Sequence, residues 1–221
     1  MQLFLIRHGE CLGQCDPSYA RDPDSPLSAL GHAQSRQVAR LLRGMGVTQV
    51  LSSPLIRSME TASLIVTTLD LPAFAVWMEL REGFSHTHRG AGAATLREHF
   101  PLAMLPEEIT DSGWDHGNDT YPGWDLRCRQ IVDRLRLSFG PTDRVALVTH
   151  GGLANYLLHT LLGIPAATPQ WFELNNCSLN VIRLVPDPVA ERPDWPLYPP
   201  VTVEILSLND SSHLVDIASA L

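Results

Sequence analysis

Two histidines, each followed by glycine, stand where short apolar segments end, far apart in a chain of 221 residues. The first segment runs into Arg7 and His8, and the second runs into His150 and Gly151. An imidazole can act as a nucleophile, an acid or a base, and the planar fork of an arginine matches phosphate oxygens. Together, these residue types indicate chemistry on phosphate esters.

The two histidines can cooperate only if the fold brings their segments together. Short apolar runs that end in turn residues are typical of buried parallel strands. Six runs are predicted as strands, at 2–6, 48–52, 73–77, 144–149, 178–185 and 201–208. Ligands of open α/β sheets bind beyond the carboxyl ends of strands near a switch point. Strands 2–6 and 144–149 could therefore deliver His8 and His150 to one crevice.

Apolar residues at three- and four-residue spacing predict helices between these strands. The predicted helices cover about 30–45, a segment opened by Ser53-Pro54 as N-cap and first residue, 124–139 and 152–162. Alternating strands and helices predict a three-layer α/β/α sandwich with a mostly parallel central sheet, as one domain over 1–221. Residues 83–123 have weak periodicity and are predicted to be a lid-like insertion. The proline-rich 186–200 stretch is predicted to cross the surface before a final strand.

Composition excludes several classes of function. All 16 basic residues are arginine, which excludes a lysine Schiff base, a lysine-anchored pyridoxal cofactor and a P-loop lysine. The net charge of −8 argues against nucleic acid or an anionic membrane as the main partner. The four cysteines lack CxxC spacing, and we find no targeting or membrane-spanning pattern. We therefore expect a cytoplasmic protein with reduced thiols, and the oligomeric state stays open.

Four ordered motifs carry a resemblance to a known family. They are LIRHGE at 5–10, LSSPLIRSMETA at 51–62, ELREG at 79–83 and LVTHGG at 147–152. In this order they closely resemble the histidine phosphatase superfamily, also called phosphoglycerate mutase-like, over roughly residues 1–182. The resemblance implies a phosphoglycerate mutase-like fold. It also implies metal-independent hydrolysis of a small phosphorylated metabolite through a phosphohistidine, without a cofactor.

The resemblance also implies roles for individual residues. His8 would be the nucleophile, and a neutral imidazole can attack phosphorus if its other nitrogen is held as a donor, typically by a backbone carbonyl. Arg7, Arg57 and His150 would take part in catalysis and bind the phosphoryl group, with His150 as a cation in the complex. Gly151 lacks a Cβ, so its backbone could approach the phosphate closely.

Two further assignments rest on the family pattern. The proton donor falls on Glu82, which fits the family's Leu-x-Glu, while Glu79 stands close by as the alternative. Gln14 stands where the family usually has asparagine, and its amide could donate a hydrogen bond to phosphate. We therefore expect Gln14 to bind substrate and Glu82 to protonate the leaving group.

Three other interpretations remain beside phosphatase chemistry. A phosphoglycerate mutase would retain bisphosphorylated intermediates with a basic lid, yet 83–123 contains more acidic than basic residues. A non-catalytic protein that binds a phosphorylated ligand could share the fold. A metal site could be built from His8, Cys11 and Cys15, although the spacing does not suit a structural zinc site. His86 and His88 are the second candidate pair for a metal.

The aromatic residues of 83–123 bear on the substrate. They are Phe84, Trp114, Tyr121 and Trp124. If this segment covers the leaving group, these rings would favour monophosphates with an uncharged or partly apolar body over bisphosphates.

Overall fold

A central sheet of seven strands organises the chain, which the computed structural model describes over residues 1–83, 88–117, 121–193 and 199–215. The strands in these ranges are β1 (Gln2–Arg7), β2 (Gln49–Ser52), β3 (Phe74–Val76), β4 (Arg89–Gly90), β5 (Ala103–Met104), β6 (Trp114–Asp115), β7 (Arg144–Thr149), β8 (Leu179–Leu184) and β9 (Val203–Asp210). The sheet order is β5-β3-β2-β7-β1-β8-β9, and β4 pairs separately with β6. Strand β8 runs antiparallel to both of its neighbours, whereas the other ladders of the sheet are parallel.

Helices cover both faces of this sheet. Within the described ranges they are α1 (Leu12–Cys15), α2 (Ala29–Arg43), α3 (Ile56–Leu69), α4 (Ala93–His99), α5 (Tyr121–Ser138), α6 (Gly151–Leu162) and α7 (Pro188–Glu191). Successive residues of a strand face opposite sides. Accordingly, Phe4 and Ile6 pack with α2 and α3, whereas Leu3 and Leu5 pack with α5 and α6. The three-layer α/β/α sandwich with a mostly parallel sheet is thus confirmed.

The pairing of β1 with β7 determines where the candidate site lies. These neighbouring parallel strands pair in a register that places Arg7 opposite Thr149. The next residue of each strand is a histidine, so His8 and His150 leave the same edge of the sheet side by side. Their ring centroids are 5.0 Å apart.

Helix α3 begins two residues after the predicted Pro54, and the reason is local. The Ser53 hydroxyl accepts a hydrogen bond from the Leu55 amide at 3.2 Å, and Leu55 occupies the N-cap position with an extended backbone. Ser53 and Pro54 therefore form a turn before α3, and the prediction that they open the helix is wrong. Arg57 nevertheless lies in the first turn of α3, as expected.

Much of the described part of 83–123, the segment predicted to be a lid-like insertion, packs on the central sheet. Strand β5 extends the edge of the central sheet, and α4 packs on the sheet face that also carries α2 and α3. Trp114 is buried in the same core, with 2% of its surface exposed. This segment carries enough spaced apolar side chains to join the core. Its helical periodicity is weak because short strands interrupt the segment.

The 186–200 stretch contains α7 and ion pairs that join it to the last strand. Arg183 and Arg192 both contact the Glu204 carboxylate, at 2.9 and 2.7 Å. Residues 194–198 lie outside the described ranges. Among the described helices, we find none with the length and apolar character that crossing a membrane requires.

A glycine contact fixes the loop after β1 against α2. A Cβ on Gly31 would overlap the backbone carbonyl oxygen of Glu10, so α2 can approach this loop only if residue 31 is glycine. We expect Gly31→Ala to lower the free energy of unfolding by about 2 kcal/mol, measured by urea denaturation. The matched control is Gly44→Ala, where the nearest atom to the new Cβ is 3.9 Å away and φ is −79°. A Gly31→Ala protein as stable as the Gly44→Ala protein would contradict this account.

Candidate active site

Hydrogen bonds on both ring nitrogens define the state of His8. Its Nδ1 lies 2.7 Å from the Gly9 carbonyl oxygen, which can only accept, so Nδ1 carries the proton. Its Nε2 lies 3.1 Å from Nε of Arg57, which can only donate. Both bonds select the same neutral tautomer, with a lone pair on Nε2. Burial, reinforced by the Arg57 guanidinium, holds the pKa of His8 well below its usual value.

Two arginines flank this imidazole, and backbone carbonyls orient each of them. Nη1 of Arg57 donates to the Pro23 carbonyl at 2.8 Å, and Nη1 of Arg7 donates to the Leu174 carbonyl at 2.6 Å. Nε of Arg7 is buried and has no acceptor among the described residues. Burial lowers the pKa of Arg7. A buried donor without an acceptor is costly, so this atom is suited to an anionic ligand.

His150 lies behind His8 and is completely buried. Its Nε2 is 2.7 Å from the Ser53 hydroxyl and 3.4 Å from the Ser58 hydroxyl, while Nδ1 has no partner among the described residues. Burial first, then Arg57 and His8, hold the pKa of His150 well below its usual value. These surroundings favour the neutral ring. The expected cation requires a nearby anion to compensate its charge.

Backbone amides hold the Glu82 carboxylate. It accepts hydrogen bonds from the amides of Gly152 at 3.1 Å and Leu153 at 3.2 Å, in the first turn of α6, and from Gly83 at 3.1 Å. Helix amino termini favour negative groups in this way. Glu79, the sequence alternative, instead forms an exposed ion pair with Arg134 on α5 at 3.0 Å. Of the two carboxylates, only Glu82 lines the cavity beside His8.

Two contacts position the loop that carries Glu82. At the end of β7, the Thr149 hydroxyl donates to the Leu80 carbonyl at 2.8 Å. The Trp124 ring packs directly against Gly83, where a Cβ would overlap the indole. Trp124 thus supports the loop that carries Glu82 and does not line the cavity.

A cavity of about 770 Å³ opens at this edge of the sheet. Its lining residues are Arg7, His8, Cys11, Gly13, Gln14, Ala20, Arg21, Asp22, Pro23, Ser25, Arg57, Glu82, Gly151, Gly152 and Trp171. Six of the predicted site residues are therefore brought together on its wall. His150 is the exception, because it contacts the site from behind His8. Gly151 lies close enough to Arg7 that a Cβ there would be 3.4 Å from Nε of Arg7.

Gln14 is linked to His8 through a residue that the sequence interpretation missed. The Gln14 and Asn176 amides lie within hydrogen-bond distance, and Asn176 also donates to the His8 carbonyl at 2.9 Å. Arg21 and Trp171 were missed as well, although both line the cavity. No motif marks these three residues, because they come from loops that only the fold brings to the site.

The predicted aromatic wall does not form on the described residues. Trp114 lies in the core, Trp124 packs on Gly83, and the side chains of Phe84 and Tyr121 lie outside the described residues. For the metal interpretation, His86 also lies outside them. Within the described ranges, no three His, Cys, Asp or Glu side chains gather closely enough to hold a metal ion.

This arrangement has the components of phosphoryl transfer. A neutral imidazole presents a lone pair, the partly buried Arg7 and the buried Arg57 offer donors for phosphate oxygens, and a carboxyl group lines the same cavity. Phosphoryl transfer depends mainly on positioning and on stabilising negative charge.

Ser53 provides a test of how His150 is positioned. We expect Ser53→Ala to weaken the binding of inorganic phosphate about tenfold, because Nε2 of His150 loses its 2.7 Å partner and the ring is released. Isothermal titration calorimetry measures this without turnover. Ser63→Ala, on α3 but outside the cavity, is the control. Equal phosphate affinities for the two variants would contradict the positioning role.

Comparisons with known proteins agree with this geometry. Residues 3–190 match the histidine phosphatase superfamily (branch 1). A probable phosphoglycerate mutase from Yersinia enterocolitica is 31% identical over 183 residues, which are 81% of this chain and 83% of that protein. The structure of a mycobacterial glucosyl-3-phosphoglycerate phosphatase is 27% identical, with a TM-score of 0.58, covering 82% of this chain and 89% of that chain.

A further structure shares the fold. The alpha-ribazole phosphatase from Shigella flexneri is 24% identical, with a TM-score of 0.61, covering 84% of this chain and 92% of that chain. The four sequence motifs lie within the region that matches the family, and this region covers most of the sequence. The chain therefore belongs to the histidine phosphatase superfamily, and its relatives comprise both phosphatases and proteins named as mutases.

Proposed function

We propose that this protein hydrolyses small phosphate monoesters through a phosphohistidine on His8, without a metal ion. The observation that carries the proposal is the pair of hydrogen bonds on the His8 ring. The Gly9 carbonyl binds the Nδ1 proton, and the Nε2 lone pair lies beside Arg57 at the cavity. The four cysteines are free thiols, which supports a reducing compartment, the cytoplasm, as its place of action.

In the first half-reaction, Nε2 of His8 attacks phosphorus and the bond to the ester oxygen breaks. Nε of Arg7, the Arg57 guanidinium and the backbone near Gly151 stabilise the charge on the phosphoryl oxygens. The incoming dianion compensates the positive charge of a protonated His150. Nδ1 of His150 then donates a hydrogen bond to a phosphoryl oxygen. Glu82 takes up a proton as the phosphate dianion binds beside it, and it transfers this proton to the departing oxygen, so the alcohol leaves neutral.

In the second half-reaction, Glu82 acts as a base. Its carboxylate takes a proton from water, the water oxygen bonds to phosphorus, and the bond to Nε2 breaks. Inorganic phosphate leaves, and His8 and protonated Glu82 are regenerated. The Gly9 carbonyl holds the Nδ1 proton of His8 throughout both steps.

The relative from Yersinia enterocolitica favours a mutase as the second candidate. A mutase returns the phosphoryl group to an organic hydroxyl, whereas a hydrolase gives it to water. The acidic excess of 83–123 supports hydrolysis, since it offers little positive charge to retain a bisphosphorylated intermediate. Incubation with 3-phosphoglycerate separates the two, because a hydrolase releases inorganic phosphate and a mutase forms 2-phosphoglycerate.

The nucleophile is tested by His8→Ala. We expect turnover of an aryl phosphate, assayed with EDTA present, to fall by about 10,000-fold while the circular dichroism spectrum is unchanged. The loss follows because His8 is the one imidazole among the described residues that line the cavity. His99→Ala, on the surface of α4, is the control. Substantial activity in His8→Ala, or loss of wild-type activity in EDTA with rescue by zinc or magnesium, would refute the mechanism.

The acid is tested by Glu82→Gln on two kinds of substrate. We expect hydrolysis of alkyl phosphates to fall about 100-fold or more, and that of activated aryl phosphates much less, because only a basic leaving oxygen needs the proton. Glu79→Gln, which removes the exposed ion pair with Arg134, is the matched control. An equal loss on both substrate kinds would remove Glu82 from this role.

A further inference from the structure

Much of the cavity lies beyond the groups that bind the phosphoryl group. Its volume of about 770 Å³ is that of a site for a whole small molecule. Segment 20–25 forms part of the remaining wall, together with Trp171. None of the described residues of 83–123 takes part in it. The body of the substrate therefore meets groups from these two loops.

Arg21 is the cation of that wall. It is exposed, and within the described part of the chain it has no hydrogen bond or ion pair, whereas Arg7 and Arg57 each donate to a backbone carbonyl. The neighbouring Asp22 carboxylate also lines the cavity, but its Oδ1 accepts from the Asp24 amide at 2.9 Å within its own loop. The guanidinium of Arg21 is thus available to a ligand.

The loop that carries Arg21 is anchored directly after it. Arg57 donates to the Pro23 carbonyl at 2.8 Å, and the Ile56 amide donates to the Asp24 carboxylate at 2.6 Å. The Gly13 amide also donates to the Ser25 hydroxyl, at 3.1 Å. These bonds hold Arg21 on a fixed base at the cavity, which lowers the entropic cost of using it.

Trp171 contributes a flat apolar surface. Its side chain is 58% exposed, and its ring meets Tyr156 and His159 edge-on, with centroids 6.0 and 6.4 Å apart. These contacts hold the indole while its exposed surface faces the cavity. Such a face suits the apolar side of a planar ring or a sugar ring.

We propose that Arg21 and Trp171 form a leaving-group subsite for phosphomonoesters whose body contains a ring and a second anionic group. Arg7 and Arg57 compensate the phosphate, so Arg21 is available for a second negative charge such as a carboxylate, while the ring lies against Trp171. This subsite rests on the proposed function. It differs from the expectation of an uncharged body, which depended partly on Trp114 and Trp124, and neither of these two lines the cavity.

Two nonhydrolysable phosphonates test the subsite by binding alone. 4-Carboxybenzylphosphonate and 4-carbamoylbenzylphosphonate have the same shape and differ in one negative charge. We expect the wild-type protein to bind the carboxylate about five- to tenfold more tightly by calorimetry, and Arg21→Gln to abolish this preference. Arg36→Gln, an exposed arginine on α2 outside the cavity, keeps it. Absence of the preference in the wild type, or its persistence in Arg21→Gln, would overturn the role of Arg21.

The contact between the ligand ring and Trp171 is tested with a second variant. Trp171→Ala should weaken both benzylphosphonates about three- to tenfold and leave methylphosphonate unchanged. Equal effects on all three phosphonates, or no effect on any of them, would overturn the role of Trp171.

Hydrolysis of the matching aryl phosphates distinguishes the subsite from the proposed function. Binding preference without hydrolysis would refute the proposed function alone, and hydrolysis without binding preference would refute the subsite alone.

Discussion

The site depends on one ladder of hydrogen bonds, the parallel pairing of β1 with β7. Because Arg7 lies opposite Thr149, the residues that follow emerge at the same level, and His8 and His150 become neighbours. A shift of one residue would turn each buried side chain of β1 toward the other face. The alternating apolar residues of β1, which fill two different cores, therefore also determine the geometry of the candidate site.

The site gathers buried cationic and polar groups that favour an anionic ligand. Burial lowers the pKa of Arg7, His8 and His150, and Nε of Arg7 and Nδ1 of His150 have no hydrogen-bond partner among the described residues. These groups cost stability when no anion is bound, as is common where function requires preorganised charge. A phosphate dianion supplies both the acceptors and the compensating charge. Although the whole chain carries −8, screening at physiological salt limits that effect, and the nearby arginines dominate at contact.

Local sequence patterns predicted the strands and the motif residues of the site. They did not predict the site residues that come from irregular loops. Apolar runs predicted the six strands that carry or flank the site, and the motifs placed Arg7, His8, Arg57 and Glu82 on one cavity. Ser53 was misread as a helix cap because the pattern of a cap is the same whether the hydroxyl bonds a helix or a turn. The residues that were not predicted, Arg21, Trp171 and Asn176, lie on irregular loops, where no periodicity indicates which side chains face a cavity.

The Gly9 carbonyl fixes the His8 tautomer, and in the proposed mechanism this selects Nε2 as the attacking atom. The direct measurement is the position of phosphorus on the imidazole. An enzyme quenched during turnover of an aryl phosphate is digested in alkali, and the phosphohistidine is identified by proton–phosphorus correlation NMR. The account predicts phosphorus on Nε2 of His8, whereas phosphorus on Nδ1 would contradict it.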